Sequence, residues 1–199
     1  MTTRRTISRI EPDTMALRAL AHPHRMRMLG MLRMDGPATA TSLATRLGLN
    51  TGATSYHLRQ LARHGFIEED ETRGTARDRW WRAAHESTVT HNDEADEDAL
   101  DAAAAFAQAA LQWQVHQMQR AADRYAQITP EWRAASTASD FTIPLTAEQA
   151  RDLTERLMNL LWEAKQSSPP LGEAFAKGVE PVTYVLHAFP RVPDGEGQE

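Results

Sequence analysis

The chain has 199 residues, of which 41% are hydrophobic, with a formal net charge of -5 and no cysteine. This length suffices for one small domain and a second module. The lack of cysteine excludes disulfides and thiolate metal sites, and the lack of any run of eighteen apolar residues argues against a membrane span. No apolar segment follows the N-terminal arginines, which predicts a cytoplasmic protein.

The charge is divided unevenly along the chain. Residues 1–85 carry a balance of +6, whereas residues 86–199 carry a balance of -11. A basic N-terminal part attracts phosphate groups, and an acidic remainder is repelled from them. The overall charge of -5 therefore conceals an uneven distribution of charge, which is typical of a nucleic-acid-binding domain followed by an acidic segment.

After an N-terminal arm at residues 1–13, the pattern predicts two short helices joined by a tight turn. The first helix is expected over Thr41–Leu47 and the second over Thr51–His64. Asn50 suits the N-cap of the second helix, and Gly65 suits the left-handed position after its last turn. These signals predict a helix-turn-helix.

The second helix has an apolar side and a polar side. Thr54, Leu58 and Leu61 recur at four and three residues, so we expect them to face the core. The other side carries small, hydroxyl and arginine side chains that suit contacts to bases and phosphates. The predicted DNA-contacting residues of this helix are Thr51, Ala53, Ser55, Tyr56, Arg59 and Arg63. On the helix alone, a solvated polar face is the alternative.

Two extended runs follow, at residues 66–69 and 77–82, and Gly74 lies between them. The pattern predicts a hairpin, or wing, directly after the second helix. We expect its arginines to contact phosphates or the minor groove while Trp81 packs beneath them. The predicted wing contacts are Arg73, Arg77 and Arg79. The alternative is an ordinary exposed hairpin, which the position next to the second helix disfavours.

Four stretches of residues 14–85 resemble the ArsR/SmtB winged helix-turn-helix repressors. They are ALAHPHRMRML at 19–29, LATRLGL at 43–49, SYHLRQL at 55–61 and GFI at 65–67. The resemblance implies a dimeric bacterial transcriptional regulator whose second helix and wing bind DNA.

The chain lacks the metal ligands of the metal-sensing members of this family. Their cysteine ligands are absent here, and the long C-terminal helix offers only His116, with Asp101 and Asp123 at unsuitable spacing. A single histidine is not a zinc site. We therefore expect no metal and no cofactor.

A polar, acidic linker at residues 86–98 precedes a long amphipathic helix at 99–128. Its apolar stripe is too long for a small winged domain to cover, so we expect it to pair with a second copy of the chain. The predicted dimer interface comprises Leu100, Ala104, Ala107, Leu111, Val115, Met118 and Ala122. Phe106 and Trp113 lie beside this stripe, where ordinary core packing is the favoured interpretation and a ligand pocket is the alternative.

Residues 140–190 predict a small strand-helix-strand module before a flexible tail at 191–199. Strands are expected at Phe141–Leu145 and Val182–Phe189, around a helix at Ala147–Lys165 that Thr146 and Gln149 begin with a capping box. The fold class is therefore α+β and mainly α. It comprises a winged helix-turn-helix domain, a dimerisation helix and a C-terminal module.

These features together predict a sequence-specific DNA-binding transcriptional regulator and not an enzyme, since no reactive constellation is evident. We expect a homodimeric repressor on a pseudo-palindromic operator, with a small-molecule effector sensed by the C-terminal half. The alternative is a constitutive or architectural DNA binder whose C-terminal half only dimerises or recruits a protein.

Overall fold

A computed structural model describes residues 4–73, 78–90, 97–172 and 175–191. A 3-10 turn lies at Tyr125–Gln127. The elements are β1 (Arg9–Ile10), α1 (Thr14–Leu20), α2 (Pro23–Asp35), β2 (Ala38–Thr39), α3 (Ala40–Leu47), α4 (Thr51–Arg63), β3 (Ile67–Glu69), β4 (Trp80–Ala83), β5 (Ser87–Thr88), α5 (Glu97–Asp123), α6 (Pro130–Ala134) and α7 (Ala147–Ser167). The predicted mainly helical α+β class with an N-terminal winged helix-turn-helix is confirmed.

Side-chain caps mark where several helices begin. The Asp13 carboxylate accepts a hydrogen bond from the Ala16 amide at 2.7 Å, and the Asn50 amide oxygen accepts one from the Ala53 amide at 2.8 Å. The predicted capping box of Thr146 and Gln149 is also present. Each cap satisfies an amide that the first helical turn leaves unpaired, so the sequence itself sets these boundaries.

Two small sheets tie the winged domain together. β2, β4 and β3 form an antiparallel sheet in that order, and β1 pairs in parallel with β5. The segment that we predicted as an N-terminal arm is therefore part of the fold, and Ile7 within it is buried. The arm also reaches α7, because the Arg5 amide donates to the Gln166 carbonyl at 3.0 Å.

One hydrophobic core lies between α1, α2, α3, α4 and the three-stranded sheet. Its members include Leu20, Met28, Leu29, Leu32, Leu43, Leu58, Leu61, Phe66, Ile67 and Trp81. Burial of such side chains contributes about 1.5 to 3 kcal/mol each. This core fixes the orientation of α4 relative to the rest of the domain.

Helix α5 is shorter than predicted. It ends at Asp123 instead of Ile128, and the chain then tightens into the 3-10 turn. Thr129 caps the next helix in an extended conformation, with Pro130 at its first position. Because proline disfavours a helical residue before it, the long helix cannot run on through this point.

The predicted strand-helix-strand module is wrong in its strands. Within the described residues, Phe141–Leu145 and Val182–Phe189 form no strand, although α7 lies where a helix was expected. Neither segment has a neighbouring strand to pair with, and Phe141 and Phe189 are both exposed. An unpaired extended segment gains no ladder hydrogen bonds, so apolar alternation alone does not make it a strand.

The helical spacing of Ala150, Leu153, Leu157, Leu160, Leu161 and Ala164 on α7 predicts a buried apolar stripe, and this prediction is wrong within the single chain. No residue of α7 is buried, and Leu157 and Leu160 are exposed. The helix is anchored at its C-terminal end, where Arg5 Nε donates to the Ser168 carbonyl at 2.8 Å and Lys165 Nζ donates to the Glu86 carbonyl at 3.3 Å.

Several predicted connecting segments lie partly outside the described residues. This holds for Gly74 and Arg77 of the wing, for residues 91–96 of the acidic linker and for residues 192–199 of the tail. The linker is shorter than predicted at both ends, since β5 includes Ser87–Thr88 and α5 begins at Glu97. No helix in the described ranges is both long and apolar enough to cross a bilayer.

Candidate nucleic-acid interface

The turn between α3 and α4 fixes the angle of the second helix. Gly48 has φ +68°, and the Leu49 amide donates to the Ala44 carbonyl at 3.0 Å. A left-handed residue followed by such a backward bond closes a helix C-terminus without a steric penalty only when the residue is glycine. The predicted helix-turn-helix is therefore present, with α3 and α4 bounded within one residue of the predicted ends.

The inward side of α4 is as predicted. Thr54, Leu58 and Leu61 are fully buried. The hydroxyl of Thr54 donates to the Asn50 carbonyl at 3.0 Å, so this buried polar group is satisfied within its own helix. Because these three side chains of α4 are buried in the core, the opposite side of the helix faces solvent.

Four exposed residues follow one line along the outward side of α4. Gly52, Tyr56, Arg59 and Arg63 are spaced by four, three and four residues, so they share one helix face. Sequence reasoning missed Gly52, although this spacing relative to Tyr56 and Arg59 could have shown it. An ideal Cβ at Gly52 would lie 3.3 Å from Asn50 Oδ1 and meet no other atom within 4 Å, so the backbone surface is open apart from the N-cap side chain.

The other predicted contacts of α4 lie around this line. Thr51 is exposed at the start of the helix, and Ser55 is half-buried on one flank. Ala53 is also half-buried, and the helical repeat turns it away from the line of Tyr56 and Arg59. The structure thus places three of the six predicted residues, Tyr56, Arg59 and Arg63, on one line, with the other three around it.

The wing stands beside α4 as predicted. β3 and β4 pair antiparallel, with Glu69 opposite Trp81, and the Trp81 side chain is buried. The second strand begins at Trp80 instead of at residue 77, so Arg79 precedes it and is exposed. The guanidinium of Arg79 lies 5.7 Å from the Trp81 ring centre. The indole therefore supports a basic side chain, as expected.

Acidic side chains pair with the arginines of the wing. Arg79 Nε lies 3.1 Å from Glu69 Oε2, Arg82 Nη2 lies 2.8 Å from Glu68 Oε1, and Arg73 Nε lies 3.6 Å from Asp70 Oδ2. Apart from the buried Asp70, the side chains of these pairs are exposed, so the two pairs of Arg79 and Arg82 are weak and screened by salt.

The carboxylate that pairs with Arg73 is buried and accepts a hydrogen bond from its own turn. Thr72 Oγ1 donates to Asp70 Oδ1 at 2.6 Å, and this hydrogen bond lowers the pKa of Asp70. Arg59 on α4, by contrast, has no ion pair within the described residues. An approaching phosphate therefore competes with carboxylates at the wing but not at Arg59.

Comparisons with known proteins find one family match and several similar solved structures. The family described as "Helix-turn-helix domain" matches residues 20–70. HlyU from Vibrio cholerae N16961 is 31% identical over 34% of this chain and 68% of that one, with a TM-score of 0.30. Residues 20–70 therefore carry a helix-turn-helix domain, and this part of the chain is similar to winged helix-turn-helix regulators of the ArsR and HlyU type.

Two further solved structures share the similarity. A homodimeric winged helix-turn-helix domain from Mycobacterium bovis, described as a possible ArsR-family regulator, is 25% identical over 56% of this chain and 81% of that one, with a TM-score of 0.32. The adhesin competence repressor of Streptococcus pyogenes is 12% identical over 73% and 82%, also with a TM-score of 0.32. No curated protein matches. This chain spans about two thirds of the HlyU structures.

Helix α5 has two apolar faces on opposite sides. The inward face packs on α1 and α2 through Ala99, Ala102 and Ala109, which are buried. The helical repeat turns the predicted dimer stripe away from them by nearly half a turn. The members of that stripe are all exposed in the single chain: Leu100, Ala104, Ala107, Leu111, Val115, Met118 and Ala122.

Phe106 and Trp113 do not lie beside the dimer stripe as we expected. They belong to the inward face, where Phe106 packs against the core of the winged domain. An ideal Cβ at Gly30 would lie 3.0 Å from Trp113 Cζ2, so the indole fits closely against α2. Both aromatic residues therefore occupy the core-packing position that sequence reasoning favoured over a ligand pocket.

Proposed function

We propose that this protein is a homodimeric, sequence-specific DNA-binding repressor. The observation that carries the proposal is the line of Gly52, Tyr56, Arg59 and Arg63 on the outward side of α4. Three fully buried residues lock the opposite side of the helix into the core, so this line is presented rigidly. A rigid helix with open backbone, a phenol and guanidinium groups suits the major groove.

The contacts divide into two kinds by position. Arg59 and Tyr56 lie in the middle of α4 and would read base edges, whereas Arg73, Arg77 and Arg79 of the wing would contact phosphates. Thr51 and Ser55 would hydrogen-bond to phosphates or bases near the helix N-terminus, where backbone amides also favour anions. The acidic C-terminal half stays away from the DNA backbone.

The face of α5 that carries the predicted dimer stripe, opposite its inward face, supports the proposal of a homodimer. Seven exposed residues, among them Leu111 and Met118, form an apolar stripe along a helix about 40 Å long. A large exposed apolar patch on a water-facing helix marks an interaction site. A two-fold axis along this stripe would present two copies of α4 to a pseudo-palindromic operator.

Selection of genomic DNA tests this function directly. Purified protein is mixed with sheared genomic fragments at about 150 mM salt, and the retained DNA is sequenced. We expect enrichment of a few fragments that share an inverted repeat, because specific sites bind about 10³- to 10⁷-fold more tightly than bulk DNA. Retention without any enriched sequence would contradict a sequence-specific regulator.

The position of Phe106 and Trp113 favours a second candidate, a constitutive DNA binder whose C-terminal half only dimerises. Both aromatic side chains are used in packing against the winged domain, so they do not line a free pocket for an effector. Titrating the operator complex with cell metabolite fractions separates the candidates. Release of DNA by a small molecule supports effector sensing, and indifference to every fraction supports the constitutive binder.

Gly52 provides a test of close backbone approach. Gly52→Ala should weaken operator binding roughly 5- to 150-fold, because a methyl group forced into a tight contact costs about 1 to 3 kcal/mol. Folding should suffer little, since alanine is the better helix former and only the Asn50 side chain would have to shift slightly. Fluorescence anisotropy with a labelled operator measures the affinity, and thermal unfolding checks the fold. Unchanged affinity in a folded variant would place the DNA surface elsewhere on α4.

A further inference from the structure

Three histidine rings meet where the start of α2 packs on the middle of α4. The ring centres of His22 and His57 are 4.6 Å apart, those of His22 and His24 are 5.4 Å apart, and those of His24 and His57 are 5.6 Å apart. We call these three residues the histidine cluster. His57 lies on α4 next to Tyr56, whose ring is 5.5 Å from it and faces it edge-on. The cluster therefore lies directly behind a proposed DNA-contacting side chain.

The cluster is partly buried, with His57 the least exposed of the three rings, and it is incompletely hydrogen-bonded. His57 is 9% exposed, and within the described residues neither its Nδ1 nor the Nδ1 of His24 has a hydrogen-bond partner. The Nε of Arg27, one turn beyond His24, is buried without a partner too. Only His22 is used locally, since its Nδ1 accepts the His24 amide at 3.1 Å and so caps α2.

The charges around His57 all oppose its protonation. The titratable groups that act on it are His22, His24 and Arg25, and no carboxylate of the described residues is among them. Arg25 is held in place because its guanidinium donates to the Ala19 carbonyl. Burial first, and then the charges of His22, Arg25 and His24, lower the pKa of His57 to about 4. Burial and Arg25 also lower the pKa of His22.

We propose that the histidine cluster is a proton-sensitive latch that holds α4 against α2 while its rings are neutral and releases α4 on acidification. Two protonated rings at these distances would repel one another and Arg25 without an anion between them. Opening would let water and counter-ions reach His57. The effect on DNA affinity rests on the proposed function, whereas the opening itself does not.

The sign and size of the effect follow from proton linkage. A group whose pKa is lower in the closed state binds fewer protons there, so acid favours the open state. With a pKa of about 4 in the closed state and about 6.5 when solvated, the open state gains about 30-fold between pH 7.5 and pH 5.0. The stabilisation of the closed state by neutral His57 is complete above about pH 6.5 and is lost as the pH falls towards 4.

Hydrogen exchange of the free protein tests the latch without DNA. Amide protection along α4, corrected for the intrinsic pH dependence of exchange, should fall about 30-fold from pH 7.5 to pH 5.0 in the wild type. In His57→Gln, which removes the group with the largest pKa shift, this fall should be much smaller, because only the contribution of His22 remains. His64→Gln, at the end of α4 outside the cluster, should behave as the wild type. An equal fall in all three proteins, or no fall in the wild type, would overturn the proposal.

A second variant covers the case in which His57→Gln does not fold. His22→Asn keeps a good N-cap on α2 but removes one ring of the cluster. The pKa of His57, followed by NMR of its ring protons, should lie well below 6 in the wild type and rise in His22→Asn. An ordinary pKa of His57 in the wild type would overturn the proposal.

Operator binding at both pH values then separates the latch from the proposed function. Affinity should fall more steeply with acid in the wild type than in His57→Gln. If the wild type binds no specific DNA at pH 7.5, the proposed function fails while the exchange result still decides the latch. If the exchange result holds but both proteins lose affinity equally, the latch does not control DNA binding and that part of the proposal is wrong.

Discussion

Leu111→Glu should abolish the dimer and, with it, most operator affinity. Leu111 lies in the middle of the outer stripe of α5 and is 42% exposed in the single chain. In the proposed dimer the new carboxylate would be buried against its own copy across the two-fold axis. Burying an unpaired charge costs several kcal/mol. A single helix interface cannot offset a cost of that size and still hold the dimer together. Light scattering should report a monomer with an intact helical spectrum.

The matched control is Gln112→Glu, which adds the same charge one residue further along. The helical repeat places Gln112 on the polar flank of α5, between the inward face and the stripe, and it is exposed. This variant should remain a dimer and bind the operator as the wild type does. A dimeric Leu111→Glu would move the interface away from α5, and a monomeric Gln112→Glu would show that general charge repulsion governs assembly.

Arg59→Ala and Arg73→Ala should weaken DNA binding in different ways. If Arg59 reads a base, its loss should cost about 1 to 3 kcal/mol on the operator and little on bulk DNA. Arg73 would contact a phosphate, so its loss should weaken binding to any sequence and reduce the salt slope by about 1. Because Arg73 gives up its contact with Asp70 when it binds DNA, its effect should be the smaller of the two.

Titrations of both variants at two salt concentrations, on operator and on bulk DNA, measure these differences. Arg156→Ala is the control, since this arginine lies on α7 and contacts Asp152 of the same helix at 3.6 Å. It should change neither affinity. Negligible effects of Arg59→Ala and Arg73→Ala in every titration would exclude the proposed DNA face.

The winged domain could be predicted from sequence because its signals are local. Asn50 caps α4, Gly48 adopts the left-handed conformation that ends α3, and the spacing of Thr54, Leu58 and Leu61 sets the buried side. Each signal depends on chain neighbours within a turn or two, so no knowledge of distant contacts was needed. The boundaries of α3 and α4 therefore came within one residue.

The C-terminal half could not be predicted because its outcome depends on distant partners. Phe141–Leu145 and Val182–Phe189 alternate like strands, but a strand exists only where another strand pairs with it. The apolar stripe of α7 similarly implied burial that this single chain does not supply. The opposite placement of Phe106 on α5 could have been found from the helical repeat, since it lies three or four residues from the buried Ala102 and Ala109.

The histidine cluster was also beyond sequence reasoning. His22 and His24 are more than thirty residues from His57 along the chain, and only the packing of α2 on α4 brings the rings within 6 Å. Taken singly, each position suits only a local role such as the N-cap that His22 provides for α2. Their shared environment is a property of the fold and not of any local pattern.

Footprinting on an operator recovered from the genomic selection is the most direct test of the central claim that two copies of α4 read DNA from one dimer. We predict two protected half-sites whose centres lie one helical turn apart, about 10 to 10.5 base pairs, or a multiple of that spacing. Arg59→Ala should lose protection in both half-sites at once. A single protected stretch without two-fold symmetry, unchanged by Arg59→Ala, would contradict the account.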